Sequence, residues 1–236
     1  MIVLNELDKA TRDLVAQTRE RVAALHAELP ANDLVVWTAG NVSERVAGTD
    51  LMVIKPSGVR YDELSAETMV VCDLDGVKID DGTPAELSPS SDTAAHAYVY
   101  RHMPEVGGVV HTHSTYATAF SALHRPIPCV LTMMADEFGG DIPVGPFAII
   151  GDDSIGQGIV ETLRDSRSPA VLMANHGPFT IGKDGKAAVK AAVMVEEVAR
   201  TVAAAQLLGE PKPVAQEHID SLYARYQNVY GQDSDR

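Results

Sequence analysis

The sequence predicts one α/β domain, and three observations lead there. Its 236 residues can bury a sizeable core, and they are 45% hydrophobic and 22% charged with no excess of glycine or proline. Short apolar runs of strand length alternate with longer segments whose apolar residues recur at helical spacing. No internal repeat, low-complexity tract or linker divides the chain, so residues 1–236 are expected to form a single unit.

The elements follow in order. Residues 4–29 set Leu7, Leu14, Val15, Val22 and Leu25 at helical spacing among charged residues, which predicts an amphipathic helix, and Pro30 opens its break over 30–33. Residues 34–37 and 51–54 are predicted strands joined by the polar Gly40-Asn41-Val42-Ser43 stretch, and Pro56-Ser57-Gly58 ends the second in a tight turn. Residues 69–73 and 76–79 predict a hairpin around Asp75-Gly76. A helix is expected over 91–102, with Ser90 or Ser91 as N-cap and an acid in its first turn. A short buried strand at 107–113 and a short helix at 116–123 come next. After a loop over 125–146, a strand at 147–150 and a helix at 155–164 are predicted. Strands at 170–174 and 179–182 flank Asn175-His176-Gly177. A long Ala-rich helix over 184–208 and a last one over 218–230 complete the chain.

Composition excludes several classes of function. A formal charge of −14 argues against nucleic-acid or anionic-membrane partners, both of which need basic surface. It also means that any phosphate site must be made favourable locally, by a metal, a lysine or helix N-termini. Cys72 and Cys129 without a CxxC indicate neither a disulfide framework nor a thiolate metal site. Charges every few residues across 1–25 are unlike a signal peptide, and no apolar run approaches the ~20 residues of a membrane span. A cytoplasmic protein is expected.

His111 and His113 carry the sharpest local signal. Residues two apart on a strand point to one face, so both imidazoles can reach one point in space. They close the apolar run Gly107-Gly108-Val109-Val110, where a bare polar pair would be expensive to bury. Imidazole is the commonest metal ligand, and three protein ligands with an open position is the pattern of a catalytic zinc. His176 is the third candidate, placed like the pair at the mouth of a predicted strand. Ser90-Ser91-Asp92 reads equally as a helix cap or as a phosphate seat with Asp92 turned toward the histidines as a fourth ligand. Gly40-Asn41 and Ser57-Gly58 are either plain turns or anion-binding strand ends, with Lys55 supplying scarce positive charge. His26, His102, His124 and His218 read as helix or turn residues, and His96 as support behind Asp92.

Five segments in one order resemble the class II aldolase and sugar-phosphate epimerase family, which includes the adducin head. They are Thr38-Ala39-Gly40-Asn41-Val42-Ser43, Ile54-Lys55-Pro56-Ser57-Gly58-Val59, Pro89-Ser90-Ser91-Asp92-Thr93, Val110-His111-Thr112-His113-Ser114 and Asn175-His176-Gly177-Pro178-Phe179. Within the family the chain is most similar to the L-ribulose-5-phosphate 4-epimerases, on three details: Asp92, the Ala135-Asp136…Phe138…Ile142-Pro143 segment, and Tyr230-Gly231-Gln232. Met134 and Glu137 depart from the histidine and tyrosine of that pattern. The resemblance implies a three-layer α/β/α fold with a largely antiparallel sheet. It implies a divalent metal on Asp92, His111, His113 and His176, most simply Zn2+, with Mn2+ or Co2+ as alternatives. It implies a sugar-phosphate substrate held by Gly40, Asn41, Lys55, Ser57, Gly58, Ser90 and Ser91, with Asp136 and Tyr230 as acid/base residues. A homotetramer is implied, with active sites between neighbouring subunits. The alternatives within the resemblance are an L-fuculose- or L-rhamnulose-1-phosphate aldolase and a non-catalytic scaffold like the adducin head.

Overall fold

Asp8 starts the first long helix. Its carboxylate accepts the Thr11 N–H at 3.0 Å, and α1 then runs Lys9–His26 in this computed structural model, which describes residues 2–229. The single helix predicted over 4–29 is therefore divided. A 3-10 turn, Leu4–Glu6, precedes the cap, and a one-turn helix, α2 (Glu28–Ala31), follows it. Apolar periodicity runs through both breaks because Leu4 packs with Val15 and Val22 of α1, and Leu29 with Leu25 of α1.

Seven strands form one sheet: β1 (Asn41–Arg45), β2 (Leu51–Ile54), β3 (Val70–Asp73), β4 (Gly108–His111), β5 (Val144–Gly145), β6 (Ala170–Met173) and β7 (Gly177–Gly182). Their order is β3-β2-β1-β4-β7-β6-β5, and every pairing is antiparallel except β5 with β6. Alternation divides the strand residues between two cores. Met52, Ile54, Val109, Val171 and Phe179 pack under α3 (Thr93–His102) and α6 (Ser154–Leu163). On the other face, Val53 and Val71 meet α1, and Val42 and Val110 meet α7 (Gly185–Leu208). That layer continues through α4 (Thr115–Ala122), α5 (Thr132–Phe138) and α8 (Gln216–Val229), around Phe138, Val195 and Ile219. The result is helices, sheet, helices.

β4 lies so close to the start of α7 that a Cβ on Gly108 would come within 2.4 Å of the Asp184 carbonyl. At that point the central strand and the start of α7 meet backbone to backbone, beside the side-chain contact of Val110 with α7.

Four predicted segments are corrected. Residues 34–37 are not a strand: Leu34 is buried, but Val36 and Trp37 are 76% and 70% exposed, and Trp37 has φ +60. The strand is instead the polar run from Asn41, expected to be a connection. It is buried because each polar side chain has a partner: Asn41 with Asp92, Ser43 with His96 and Glu44 with Arg21. Residues 147–150 are not a strand either, and Phe147 and Ile149 face outward. The paired residues are Val144 and Gly145, inside the predicted 125–146 loop, which also holds α5. The hairpin at Asp75-Gly76 survives in reduced form, with Asp73 N–H donating to the Val77 carbonyl at 3.0 Å.

Candidate metal centre

His111 ends β4, in register with Asn41 of β1 and Phe179 of β7. Its ring stacks on Phe179, centroids 4.1 Å apart and planes 13° from parallel. Its Nδ1 lies 3.0 Å from the Pro178 carbonyl, which can only accept, so Nδ1 carries the proton and Nε2 presents a lone pair. His113 follows two residues on, its Nε2 2.8 Å from that of His111. His176 arrives from the β6–β7 turn, where Asn175 has φ +57 and Gly177 φ +150. A Cβ at Gly177 would stand 2.8 Å from the Thr112 carbonyl, so glycine lets this turn close on the end of β4. One ring nitrogen from each histidine lies within 4.8 Å of the others.

The donor set fits a cation. The lone pair on His111 Nε2 faces His113 Nε2 at 2.8 Å, where it accepts the N–H of one neutral His113 tautomer or, with both rings presenting lone pairs, meets a metal ion. An added proton, which would make an imidazolium, is disfavoured, because burial holds His111 well below the usual imidazole range, with the charges of His176 and His113 adding to it. Burial also lowers His113 and His176, while Asp92 opposes the shift in both. The rings are therefore neutral, the form that ligates.

Asp92 occupies the N-cap position of α3, yet its side chain makes no cap hydrogen bond. One carboxylate oxygen accepts from Asn41 Nδ2 at 2.7 Å, and the other is buried with no partner among the described residues. The carboxylate is not one of the 4.8 Å group, but it lines the same cavity. An orphaned anionic oxygen there is the acceptor that a divalent ion would satisfy. The sequence left capping and ligation open for this residue, and the geometry removes capping.

The cavity, about 200 Å³, brings the anion candidates to the histidines: Gly40, Asn41, Lys55, Ser57, Gly58, Ser90 and Ser91 all line it. Two backbone bonds join its walls, Ser57 N–H to the Ser88 carbonyl at 2.9 Å and Ser90 N–H to the Lys55 carbonyl at 3.0 Å. Ser57 is thus not a free backbone donor, contrary to the sequence reading, though its side chain borders the cavity. Asn41 Nδ2 also reaches Ser90 Oγ at 3.0 Å. Lys55 is 2% exposed and rests on the Thr38 and Pro56 carbonyls at 3.2 and 3.3 Å. No carboxylate among the described residues pairs with it, and burial lowers its pKa to about 8. Tyr61, not foreseen, braces this corner by donating to the Ala39 and Gly40 carbonyls at 2.9 and 3.1 Å. Ile150, read as a strand residue, borders the cavity from an exposed loop.

Other sites separate. Asp136, on α5, does not line the cavity and lies 3.7 Å from Arg225 of α8. Tyr230 falls outside the described residues. His96 backs the site through Ser43, 2.7 Å away, rather than through Asp92. His26 is locked between the Val22 carbonyl and the Val42 N–H at 2.7 and 2.9 Å, and His102 bonds the Tyr98 carbonyl at 2.8 Å.

Comparison with known proteins agrees with this geometry. Residues 20–203 match the family described as Class II Aldolase and Adducin N-terminal domain. An L-fuculose 1-phosphate aldolase structure superposes with a TM-score of 0.82 at 26% identity, covering 89% of this chain and 96% of that one. YgbL of Klebsiella pneumoniae, described as a candidate aldolase/epimerase/decarboxylase, superposes with a TM-score of 0.75 at 30% identity, covering 88% and 98%. An aldolase II superfamily protein from Pseudomonas syringae shares the fold at 21% identity, with a TM-score of 0.79 over 95% of this chain and 88% of that one. With its histidine cluster, its sheet and the greater part of its length accounted for in this way, the chain belongs to the class II aldolase and adducin N-terminal domain family.

Proposed function

We propose that the chain is a metal-dependent sugar-phosphate epimerase, interconverting L-ribulose 5-phosphate and D-xylulose 5-phosphate in the cytoplasm. One observation carries the reading: three neutral imidazoles, an unsatisfied carboxylate oxygen and a buried lysine share a single cavity. Bound on His111, His113 and His176 with Asp92, a divalent ion such as Zn2+, Mn2+ or Co2+ would supply Lewis-acid polarisation of the substrate carbonyl.

The chain's own residues account for the rest. The carbon to be inverted bears no acidic hydrogen, so simple deprotonation cannot invert it, and the C3–C4 bond must break and re-form. Lys55, Ser57, Gly58, Ser90, Ser91 and Asn41 hold the phosphate while the freed aldehyde turns. Asp136 and Tyr230 serve the two faces of C4, one taking the hydroxyl proton and the other returning it. Asp136 stands apart from the cavity within one chain. The reading therefore assigns these two residues to a neighbour's site in a homotetramer.

A second reading has its own support in the superposed L-fuculose 1-phosphate aldolase. An aldolase would use the same metal and phosphate residues but release its fragments. Incubation with L-ribulose 5-phosphate, and separately with dihydroxyacetone phosphate and lactaldehyde, tests both. The expected product is D-xylulose 5-phosphate, lost on chelation and restored by added metal. Conversion only of the second pair would replace the epimerase with the aldolase. His176→Asn is expected to lower metal content and rate together, and full activity in that variant without metal would end the account.

A further inference from the structure

Four non-glycine residues have left-handed backbone among the described residues, and two of them touch. His124 has φ +52 and Asn175 has φ +57. His124 Nε2 lies 2.6 Å from Asn175 Oδ1, a carbonyl-type oxygen that only accepts, so the ring nitrogen donates. Their main chains share one acceptor as well: the Ser121 carbonyl takes the His124 N–H at 3.1 Å and the Asn175 N–H at 3.2 Å. Left-handed backbone in residues with a Cβ is uncommon and costs free energy, so two joined instances need a reason.

α4 supplies the frame for one. It begins at Thr115, directly after His113 and its N-cap Ser114, and its last turn leads into His124. The helix therefore runs from one candidate ligand to the turn that carries another. Thr118, facing that turn, would lie 3.3 Å from a Cβ on Gly177. Thr118, Ser121 and His124, three residues apart, lie along one side of α4 and its end, toward residues 175–177. His176 itself makes no side-chain hydrogen bond that would orient it among the described residues, whereas His111 is fixed by the Pro178 carbonyl.

We infer that His124 is a positioning residue for the metal centre: by holding Asn175 in its left-handed conformation it sets where His176 delivers its ring. This rests on the metal reading given above. Substitution at His124 then weakens metal binding without touching a ligand.

Cobalt(II) affinity and absorption spectrum test it, on the full chain. His124→Asn tolerates left-handed backbone but is too short to reach Asn175, and His124→Gly removes the ring and the backbone cost together. His124→Gln keeps an N–H donor at similar reach. The cobalt dissociation constant is expected to rise about 10-fold in the Asn and Gly variants, the scale typical of groups that orient ligands, and to stay near wild type in Gln. The ligand-field bands should shift in the first two only. Asn175→Gly added to His124→Gly should cost no more than either alone. Wild-type affinity and spectrum in His124→Asn and His124→Gly would overturn the inference while leaving the metal site intact. Failure of the wild-type protein to bind cobalt would overturn the metal reading, and this inference with it.

Discussion

At the scale of single residues, the site is a set of polar groups whose burial is tolerated because each has, or awaits, a partner. Lys55 is the clearest case. Withdrawn from water, with carbonyls and the Tyr61 ring beside it but no carboxylate paired with it among the described residues, its ammonium is destabilised and its pKa falls to about 8. Below that pH the cavity holds a cation suited to a phosphate, and above it the attraction is lost. Competitive inhibition by sulfate, whose charge is fixed in this range, should therefore weaken about twofold between pH 7 and 8 and approach a tenfold loss per pH unit well above 8. Lys55→Met should weaken it about 10- to 100-fold at pH 7, the value of a charged hydrogen bond, and flatten the profile. A wild-type profile level to pH 9.5 would remove Lys55 from the anion site. Residue chemistry was the part most readable in advance. His111, His113 and His176 were selected by strand position and residue type, and they converge. For Asp92 the sequence allows two roles, because a carboxylate before a helix serves either, and only its missing cap bond separates them. Tyr61 and His124 could not be found from type or spacing, since each acts through contacts far along the chain.

Elements carry these residues, and two junctions between elements can be tested. His26 ties the end of α1 to β1 by accepting the Val42 N–H at 2.9 Å, and burial lowers its pKa to about 3. The unfolded chain protonates this histidine below about pH 6.5 while the folded chain resists until about 3, so its stability contribution is complete above 6.5 and is lost as pH falls toward 3. His26→Leu, which strands the Val42 N–H, should cost about 1–3 kcal/mol in urea unfolding at pH 7, and measurably less at pH 5. An equal cost at both would mean the ring titrates normally. Gly108→Ala tests the second junction. Its Cβ would meet the Asp184 backbone at 2.4 Å, where no flexible side chain can yield, so a loss of about 3 kcal/mol or complete misfolding is expected. An unchanged unfolding midpoint would show that β4 and α7 can separate. Elements with apolar alternation or strong periodicity, such as β4 and α7, were legible from sequence. β1 was not, because Asn41, Ser43 and Glu44 imitate a loop until their partners on α3 and α1 are known. The 147–150 run failed in the opposite sense: β-forming residues lie exposed in a loop beside the cavity.

At the scale of the whole molecule, charge and local chemistry oppose one another. The chain carries a formal −14, yet the proposed substrate is a phosphate dianion. Far from the cavity the approaching anion meets the summed negative field, and only within the range of Lys55 and a bound cation does the sign reverse. The Debye length is about 30 Å at 0.01 M salt and about 8 Å at 0.15 M. Raising salt across that interval therefore screens the repulsion over the whole surface more than it screens attraction at contact distance. For a metal-loaded enzyme limited by encounter, kcat/KM should rise a few-fold with ionic strength, the reverse of an electrostatically steered enzyme. Replacing the exposed Glu20, Glu105 and Glu217 with glutamine should raise kcat/KM at low salt and flatten the dependence, since all three stand outside the cavity lining. The measurement is kcat/KM against sodium chloride for wild type and the triple variant at pH 7. A steady fall with salt in both would mean that the cavity's own positive groups govern approach from a distance, and that the acidic surface has no part in substrate capture.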